Sequence, residues 1–196
     1  MELTLALIAA YIAGSLPFSY IVPKLIKNVD IRTVGSKNVG ATNVYRSCGP
    51  LCGLLALLLD SGKAGFSLYF AKMYFPIELA LVLAVVVVIG HCHSVFLKFK
   101  GGKGVASAAG LFLFFDPKFC LILLIIFALV LLLSSYVSLA SILTAFFTPM
   151  VYFALYRDLK ITGIIVFLVL FVIVRHRSNI VRLMRGEESK IKGSKK

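Results

Sequence analysis

Two glycine-rich, basic segments interrupt the long apolar runs of this 196-residue chain. The first polar segment, residues 35–46, reads Gly-Ser-Lys-Asn-Val-Gly-Ala-Thr-Asn-Val-Tyr-Arg. The second polar segment, residues 98–104, reads Lys-Phe-Lys-Gly-Gly-Lys-Gly. Glycine lets backbone amides approach an anion closely, and lysine and arginine supply positive charge. Together the segments predict that a phosphate-bearing molecule is handled at a membrane surface.

The first polar segment is crowded with hydrogen-bond donors. Its candidate binding residues are Ser36, Asn38, Gly40, Thr42, Asn43 and Arg46. Hydroxyls and amides donate to phosphate oxygens, and an arginine can bind two of them at once. A surface loop rich in turn residues is the alternative interpretation. We favour a functional role because so many donors fall within twelve residues.

The second polar segment offers a compact anion site. Its candidate residues are Gly101, Gly102, Lys103 and Gly104. If a helix begins at Gly104, the free amides and positive dipole end of that helix point at the segment. A nucleotide P-loop is excluded, because Lys103 is followed by glycine rather than serine or threonine. Taken alone, the segment is equally compatible with a cationic turn at the membrane surface.

The elements that position these segments are predicted to be membrane helices. Hydrophobic residues make up 60% of the chain, and mean hydropathy is +1.00. Apolar runs near twenty residues indicate an all-α polytopic membrane protein, since every backbone amide in hydrocarbon must be paired internally. The seven predicted spans are 2–25, 50–73, 77–97, 104–116, 117–135, 137–156 and 160–176.

The distribution of basic residues predicts the orientation of these spans. With the N-terminus outside, sixteen of the Lys and Arg residues fall on inner segments and four fall on outer ones. This bias favours a cytoplasmic C-terminus and places both polar segments on the cytoplasmic face. We read 1–196 as one integral membrane domain with a basic cytoplasmic tail at 185–196. The run from Leu3 to Leu25 is expected to be a retained span rather than a signal peptide.

Further polar side chains lie within or beside the predicted spans. Asp60 and Lys63 are three residues apart and can pair on one helix face; we assign them to packing and support. His91, with Cys92 and His93, ends the third span and is expected to be a polar cap at the interface, because the spacing fits no compact zinc site.

The last span and the start of the sixth supply more candidates. His176 and Asn179 recur at helical spacing and can face one site, although a basic interfacial helix is the alternative. Ser138 and Ser141 lie one turn apart in a polar patch at the inner end of the sixth span. The candidate catalytic residues are Ser36, Arg46, Lys103, His176 and Asn179.

Several classes of function are excluded by what the sequence lacks. The net charge of +13 reflects topology and affinity for anionic lipid, because no nucleic-acid motif accompanies it. No Gly-x-Ser-x-Gly nucleophile elbow is present, and neither polar segment holds an acidic residue that could act as a base. We therefore expect transfer between two phosphate-bearing substrates, driven by binding and electrostatics, with no metal and no cofactor.

Motifs along nearly the whole chain resemble the bacterial acyl-phosphate:glycerol-3-phosphate acyltransferase family. In chain order they are Gly14-Ser15, Asp30-Ile31-Arg32, Gly35-Ser36-x-Asn38-x-Gly40-Ala41-Thr42-Asn43-x-x-Arg46, Gly90-His91, Val95-Phe96-x-x-Phe99-Lys100-Gly101-Gly102-Lys103-Gly104-Val105-Ala106, Tyr136-x-Ser138-Leu139 and Arg175-His176-x-x-Asn179-Ile180-x-Arg182-Leu183. Several motifs in one order are specific together, whereas Gly-Gly-Lys-Gly alone is weak.

The resemblance implies an enzyme that transfers a fatty acyl group from acyl phosphate to the sn-1 hydroxyl of glycerol 3-phosphate. The products would be lysophosphatidic acid and phosphate, the first step of phospholipid synthesis. It implies a multi-pass protein of the bacterial plasma membrane with its active site on the cytoplasmic side. We expect a monomer whose partners are these two substrates and membrane lipid. The His-x4-Asp motif of other glycerol-phosphate acyltransferases is absent from this chain, as from the family.

A transporter or scramblase for an anionic phospholipid or phosphate is the competing hypothesis. Charged Asp60 and Lys63 within a span support it. It requires a polar path across the full depth of the bilayer, whereas the polar residues here gather at one face.

Overall fold

The computed structural model describes residues 2–191, so residues 192–196 of the predicted basic tail lie outside the described part. The described part contains ten α-helices and one short 3₁₀ turn. The helices are α1 (Leu3–Ser15), α2 (Phe18–Lys27), α3 (Ala41–Cys48), α4 (Pro50–Ala71), α5 (Ile77–Cys92), α6 (Val105–Phe115), α7 (Pro117–Ser134), α8 (Val137–Tyr156), α9 (Leu159–Arg175) and α10 (Arg177–Met184). The 3₁₀ turn is Val95–Leu97.

The all-helical prediction is confirmed. Among the described residues, five segments are long and apolar enough to cross a membrane, or six if α9 and α10, bent by 57°, form one span. Helix α6 has 11 residues and is about 16 Å long, short of the ~30 Å hydrocarbon core. The count of seven therefore stays a prediction.

The chain forms two compact units, one ending at Phe115 and the other beginning at Asp116. In the first unit, α4 packs closely on α6 because glycine removes the side chain at the crossing. A Cβ on Gly110 would overlap the carbonyl oxygen of Ser61. Two hydroxyls join the same helices: Ser61 donates to Ala106 O at 2.9 Å, and Ser107 donates to Asp60 O at 3.0 Å. Small and hydroxyl-bearing residues are the usual means of bringing membrane helices together.

The first predicted span is broken between α1 and α2, where Pro17 lacks an amide hydrogen. The break leaves backbone carbonyls that the helix no longer satisfies. Side chains from elsewhere in the first unit replace the missing donors: Ser94 Oγ donates to Ser15 O at 2.5 Å, and Lys63 Nζ donates to Leu16 O at 2.7 Å. The break is therefore a stable feature of the fold, because its polar groups are paired.

In the second unit, α7, α8 and α9 are joined by short connections with defined caps. Asp116 caps α7 by accepting from the amides of Lys118 and Phe119, and Asp158 caps α9 in the same way. The rings of Phe119 and Tyr152 meet edge to face with centroids 5.4 Å apart, which packs α7 against α8.

Candidate active site

The first polar segment is folded around the buried side chain of Asn43. Its Oδ1 accepts from the amide of Ser36 at 3.0 Å. Its Nδ2 lies within hydrogen-bond distance of three carbonyl oxygens, those of Ile31 at 3.2 Å, Val34 at 3.1 Å and Asn38 at 3.1 Å. These contacts span twelve residues of chain, so one amide fixes the shape of the whole segment.

The same segment contains a helix that the sequence analysis did not predict. Helix α3 begins at Ala41, just after Gly40, so Thr42 and Arg46 lie one turn apart on its surface. Ser36 is exposed, while Thr42 and Arg46 are half-buried. The segment therefore presents a hydroxyl on its loop, and a hydroxyl and a guanidinium on its helix.

An ion pair ties down the chain just before this segment. The Arg32 guanidinium lies 2.7 Å from the Asp30 carboxylate. The hydrogen bond from the Arg32 side chain lowers the pKa of Asp30 to about 2. The carboxylate is therefore charged throughout the physiological pH range.

The second polar segment is held against the end of α5 by its backbone. The amide of Gly101 donates to Cys92 O at 3.1 Å, and the amide of Gly102 donates to His91 O at 3.1 Å. These two amides thus serve the local fold. Next along the chain come Lys103 and the first-turn amides of α6, which have no acceptor within that helix. Gly104 has φ +88°, a backbone conformation that favours glycine.

The structure brings the two polar segments into contact at Gly102. A Cβ added to Gly102 would lie 2.5 Å from the carbonyl oxygen of Val39, in the first segment, and would overlap Nε2 of His91. Gly102 is buried, whereas Lys103 beside it is half-buried. Residues 63 positions apart in sequence, Val39 and Gly102, therefore meet within the first unit.

A buried charged cluster lies directly behind this contact. Asp60 is fully buried, and its Oδ1 lies 2.9 Å from Lys63 Nζ and 3.4 Å from His91 Nδ1. Ser19 Oγ donates to Asp60 Oδ2 at 2.5 Å. The predicted pairing of Asp60 with Lys63 is confirmed. The side chains of the pair are 0% and 5% exposed, so the two charges are buried against each other.

The interpretation of His91 as an interfacial cap needs correction. His91 is 6% exposed and belongs to the charged cluster, with Nδ1 lying 3.0 Å from Lys63 Nζ. The sequence analysis missed this role because Lys63 and His91 are 28 residues apart and lie on different helices. In the sequence, His91 stood out only as part of the Gly90-His91 pair at the end of an apolar run.

In the second unit, His176 and Asn179 are buried at the junction of α9 and α10. His176 Nδ1 lies 2.8 Å from Val172 O, and Asn179 Nδ2 donates to Glu188 Oε1 at 2.9 Å. Glu188 also accepts from Arg182 Nε at 2.8 Å. The sequence analysis placed Glu188 in the basic tail at 185–196 and did not select it.

The two serine candidates are both buried near the start of α8. Ser141 Oγ donates back to Val137 O at 2.8 Å. Ser138 Oγ is buried and has no hydrogen-bond partner among residues 2–191. A buried hydroxyl in that state is costly unless a ligand or water satisfies it.

The helices and polar segments define an integral membrane protein that presents cations, hydroxyls and amides suited to phosphate groups. The model of the family described as glycerol-3-phosphate acyltransferase matches residues 4–186. The chain therefore belongs to the glycerol-3-phosphate acyltransferase family, and the family predicted from the sequence is confirmed.

Individual relatives and solved structures agree with this assignment. The chain is 43% identical to the glycerol-3-phosphate acyltransferase of Fusobacterium nucleatum, with 95% of this chain and 96% of the relative covered. It is 41% identical to that of Carboxydothermus hydrogenoformans, covering 95% of each. The crystal structure of PlsY (YgiH), an integral membrane glycerol 3-phosphate acyltransferase, in its glycerol 3-phosphate form has a TM-score of 0.89 at 35% identity, covering 96% of this chain and 94% of that one. Its lysophosphatidic acid form has a TM-score of 0.87 at 34% identity, with the same coverage.

Proposed function

We propose that this membrane acyltransferase moves a fatty acyl group from acyl phosphate to the sn-1 hydroxyl of glycerol 3-phosphate. A bond forms between the hydroxyl oxygen and the acyl carbonyl carbon, and the bond from that carbon to the phosphate oxygen breaks. The products are lysophosphatidic acid and inorganic phosphate. The observation that supports this proposal is the meeting of the two polar segments at Gly102, the residue that precedes Lys103.

In the first unit, the proposed role of Arg46 and Lys103 is to neutralise the phosphate of glycerol 3-phosphate, with Ser36 as a further donor. The proposed roles of His176 and Asn179, in the second unit, rest on the family motif to which they belong. Two positive charges suit a phosphate that carries close to two negative ones, and arginine offers a paired set of donors. Binding of this kind fixes the acceptor hydroxyl for attack.

The proposed acyl phosphate site uses neutral donors. Thr42 and the first-turn amides of α6, beyond Gly104, face the phosphate of the donor, with Asn38 and Gly40 shaping the first segment. In the second unit, Ser138 and Ser141 are proposed to contribute polar groups, and the buried hydroxyl of Ser138 supports a bound polar group beside it. The acyl chain lies in an apolar groove open to lipid.

Asn43, Gly101 and Gly102 act by shaping the polar segments. The Asn43 amide is used within the first segment, and the amides of both glycines donate to carbonyls of α5. Their contribution is to hold the donors of neighbouring residues at fixed places, which is the basis of electrostatic preorganisation.

The proton of the attacking hydroxyl passes to a phosphate oxygen of a substrate. His176 is the protein group that could take it instead. Its Nδ1 faces the carbonyl oxygen of Val172, and because a carbonyl only accepts, Nδ1 carries the hydrogen. Nε2 of the neutral ring is then the nitrogen able to receive a proton.

The proposed topology is seven spans with the N-terminus outside, the C-terminus in the cytoplasm and α6 as the shortest span, in a monomer of the bacterial plasma membrane. The uneven distribution of Lys and Arg supports it. Cysteines placed at exposed Lys37 and Lys100, in a cysteine-free background, should resist an impermeant reagent applied outside the cell. Labelling of either from outside would overturn the orientation.

An acyl-transfer assay on the purified protein tests the reaction. Protein in detergent or vesicles is given labelled glycerol 3-phosphate with acyl phosphate, acyl-CoA or acyl carrier protein as donor. The proposal predicts labelled lysophosphatidic acid and equimolar phosphate with acyl phosphate alone. Product from acyl-CoA but not from acyl phosphate would overturn the choice of donor, and the absence of product from all three donors would overturn the activity.

A further inference from the structure

The buried cluster of Asp60, Lys63 and His91 has no part in the roles proposed above, yet it lies directly behind the second polar segment. Burying charged groups within a membrane helix is costly, so an ion pair at this depth needs a reason. Part of the reason is structural, because Lys63 donates to the Leu16 carbonyl at the break between α1 and α2. That contact does not explain why the imidazole of His91 belongs to the cluster.

The contacts of Lys63 determine which nitrogen of His91 carries the hydrogen. Lys63 Nζ has three partners, Asp60 Oδ1 at 2.9 Å, Leu16 O at 2.7 Å and His91 Nδ1 at 3.0 Å. An ammonium has three N–H bonds, and an alkyl amine binds a proton more tightly than an imidazole does. With Lys63 as the donor, Nδ1 of His91 accepts, and Nε2 is then the ring nitrogen that carries a hydrogen.

The Nε2 edge of His91 faces the second polar segment. Gly102 is buried with this ring edge on one side and the carbonyl oxygen of Val39 on the other, so that a Cβ on Gly102 would meet both. The backbone of His91 also accepts the Gly102 amide hydrogen at 3.1 Å. The residue next in the chain is Lys103. The ring thus occupies the space into which the second segment would otherwise relax.

We propose that His91 is a positioning residue for acyl transfer: the Asp60–Lys63 pair orients its ring, and the Nε2 edge holds Gly102 against Val39 so that Lys103 stays aligned with the first polar segment. This inference rests on the proposed function, since it assigns Lys103 to the glycerol 3-phosphate phosphate. A small shift of a binding cation is costly, because displacement by about 1 Å can reduce catalysis about a hundredfold.

Two amide substitutions of His91 distinguish the role of the Nδ1 edge of the ring from the role of the Nε2 edge. In His91→Asn the short side chain places an amide oxygen near the position of Nδ1, where it can accept from Lys63, and leaves the space beside Gly102 empty. In His91→Gln the longer side chain carries an N–H to the position of Nε2, beside Gly102. Positioning through Nε2 therefore predicts that Gln preserves function better than Asn.

The readouts are KM for glycerol 3-phosphate, kcat and the midpoint of thermal unfolding. We expect His91→Asn to raise KM about tenfold with little change in the unfolding midpoint, and His91→Gln to stay within about threefold of the wild type. Ser19→Ala is the matched control, because it removes a hydrogen bond to Asp60 without touching the second segment. It should lower the unfolding midpoint and leave KM unchanged.

A double variant tests whether His91 acts through Lys103. If it does, adding His91→Asn to Lys103→Ala should change kcat/KM by less than about twofold further, since the aligned cation is already gone. The proposal would be overturned if His91→Asn lowered kcat/KM by the same factor in the wild type and in Lys103→Ala. So would a wild-type KM in His91→Asn, or failure of both His91 variants to fold, which would make the ring purely structural. If the wild-type protein itself transfers no acyl group, the proposed function fails instead.

Discussion

Replacing Asn43 with alanine should loosen the first polar segment more than any other single change to it. The substitution removes the two N–H donors of Nδ2 and the acceptor Oδ1, and so about three hydrogen bonds. At about 1 kcal/mol each, the loss is about 3 kcal/mol. The equilibrium for opening this segment should therefore shift about a hundredfold.

Limited proteolysis of the folded protein measures that opening directly. Trypsin can cut after Arg32 or Lys37, which are both exposed, but the protease needs the surrounding backbone to open. In the regime where opening is fast relative to cleavage, the cutting rate follows the open population. Asn43→Ala should be cut up to about a hundredfold faster and should bind glycerol 3-phosphate more weakly.

The matched control is Thr33→Ala. It removes one exposed hydrogen bond, from Thr33 Oγ1 to Asp30 O, and should change stability by no more than about 0.5 kcal/mol. Equal cutting rates in Asn43→Ala and the wild type would refute the view that this amide holds the segment. Faster cutting with unchanged kinetics would show instead that the ordered segment is not needed for catalysis.

Three further predictions concern other contacts. Gly102→Ala should lower kcat/KM at least tenfold, because the new Cβ meets His91 and Val39; Gly163→Ala, with open space around it, is the control in the same assay. Asp116→Ala should cost the second unit about 1 kcal/mol in the free energy of unfolding through loss of its helix cap, and an unchanged midpoint would contradict this. The pKa of Asp30 is lowered to about 2 in the folded protein, so its carboxylate stabilises the fold above the unfolded pKa near 4, and this stabilisation is lost as the pH falls through 2. The unfolding midpoints of the wild type and Asp30→Asn should therefore converge between pH 4 and pH 2.

Apolar runs predicted the helices well because backbone pairing in hydrocarbon leaves few alternatives. The breaks within those runs were harder to predict. Pro17 lies inside the first run and interrupts its helix between α1 and α2, although Leu3–Lys27 still forms one candidate span, in agreement with the predicted span 2–25. The bend after Arg175 separates α10 from α9 at the predicted end of the last span. Local composition does not show where a helix can be interrupted. The carbonyls of Ser15 and Leu16 accept hydrogen bonds from Ser94 and Lys63, which are far away in sequence.

The residue types of the polar segments were predictable, and the use made of each residue was not. Asn43 was selected as a substrate donor, but its hydrogen bonds lie within the segment. Helix α3 was missed because it has only eight residues; its apolar positions Ala41, Val44 and Cys48 do recur at helical spacing and pack into the core of the first unit. Spacing reveals neighbours on one helix, such as Asp60 and Lys63, but not partners on different helices, such as Lys63 and His91.

Initial rates of lysophosphatidic acid formation in two lysine variants test the central claim most directly. Lys103 is half-buried beside the contact of the two polar segments, and Lys100 is exposed on the same segment. With acyl phosphate as donor, we predict that Lys103→Met loses at least about a hundredfold in kcat/KM and that Lys100→Met stays within about twofold of the wild type. Equal rates in Lys103→Met and the wild type would contradict the account.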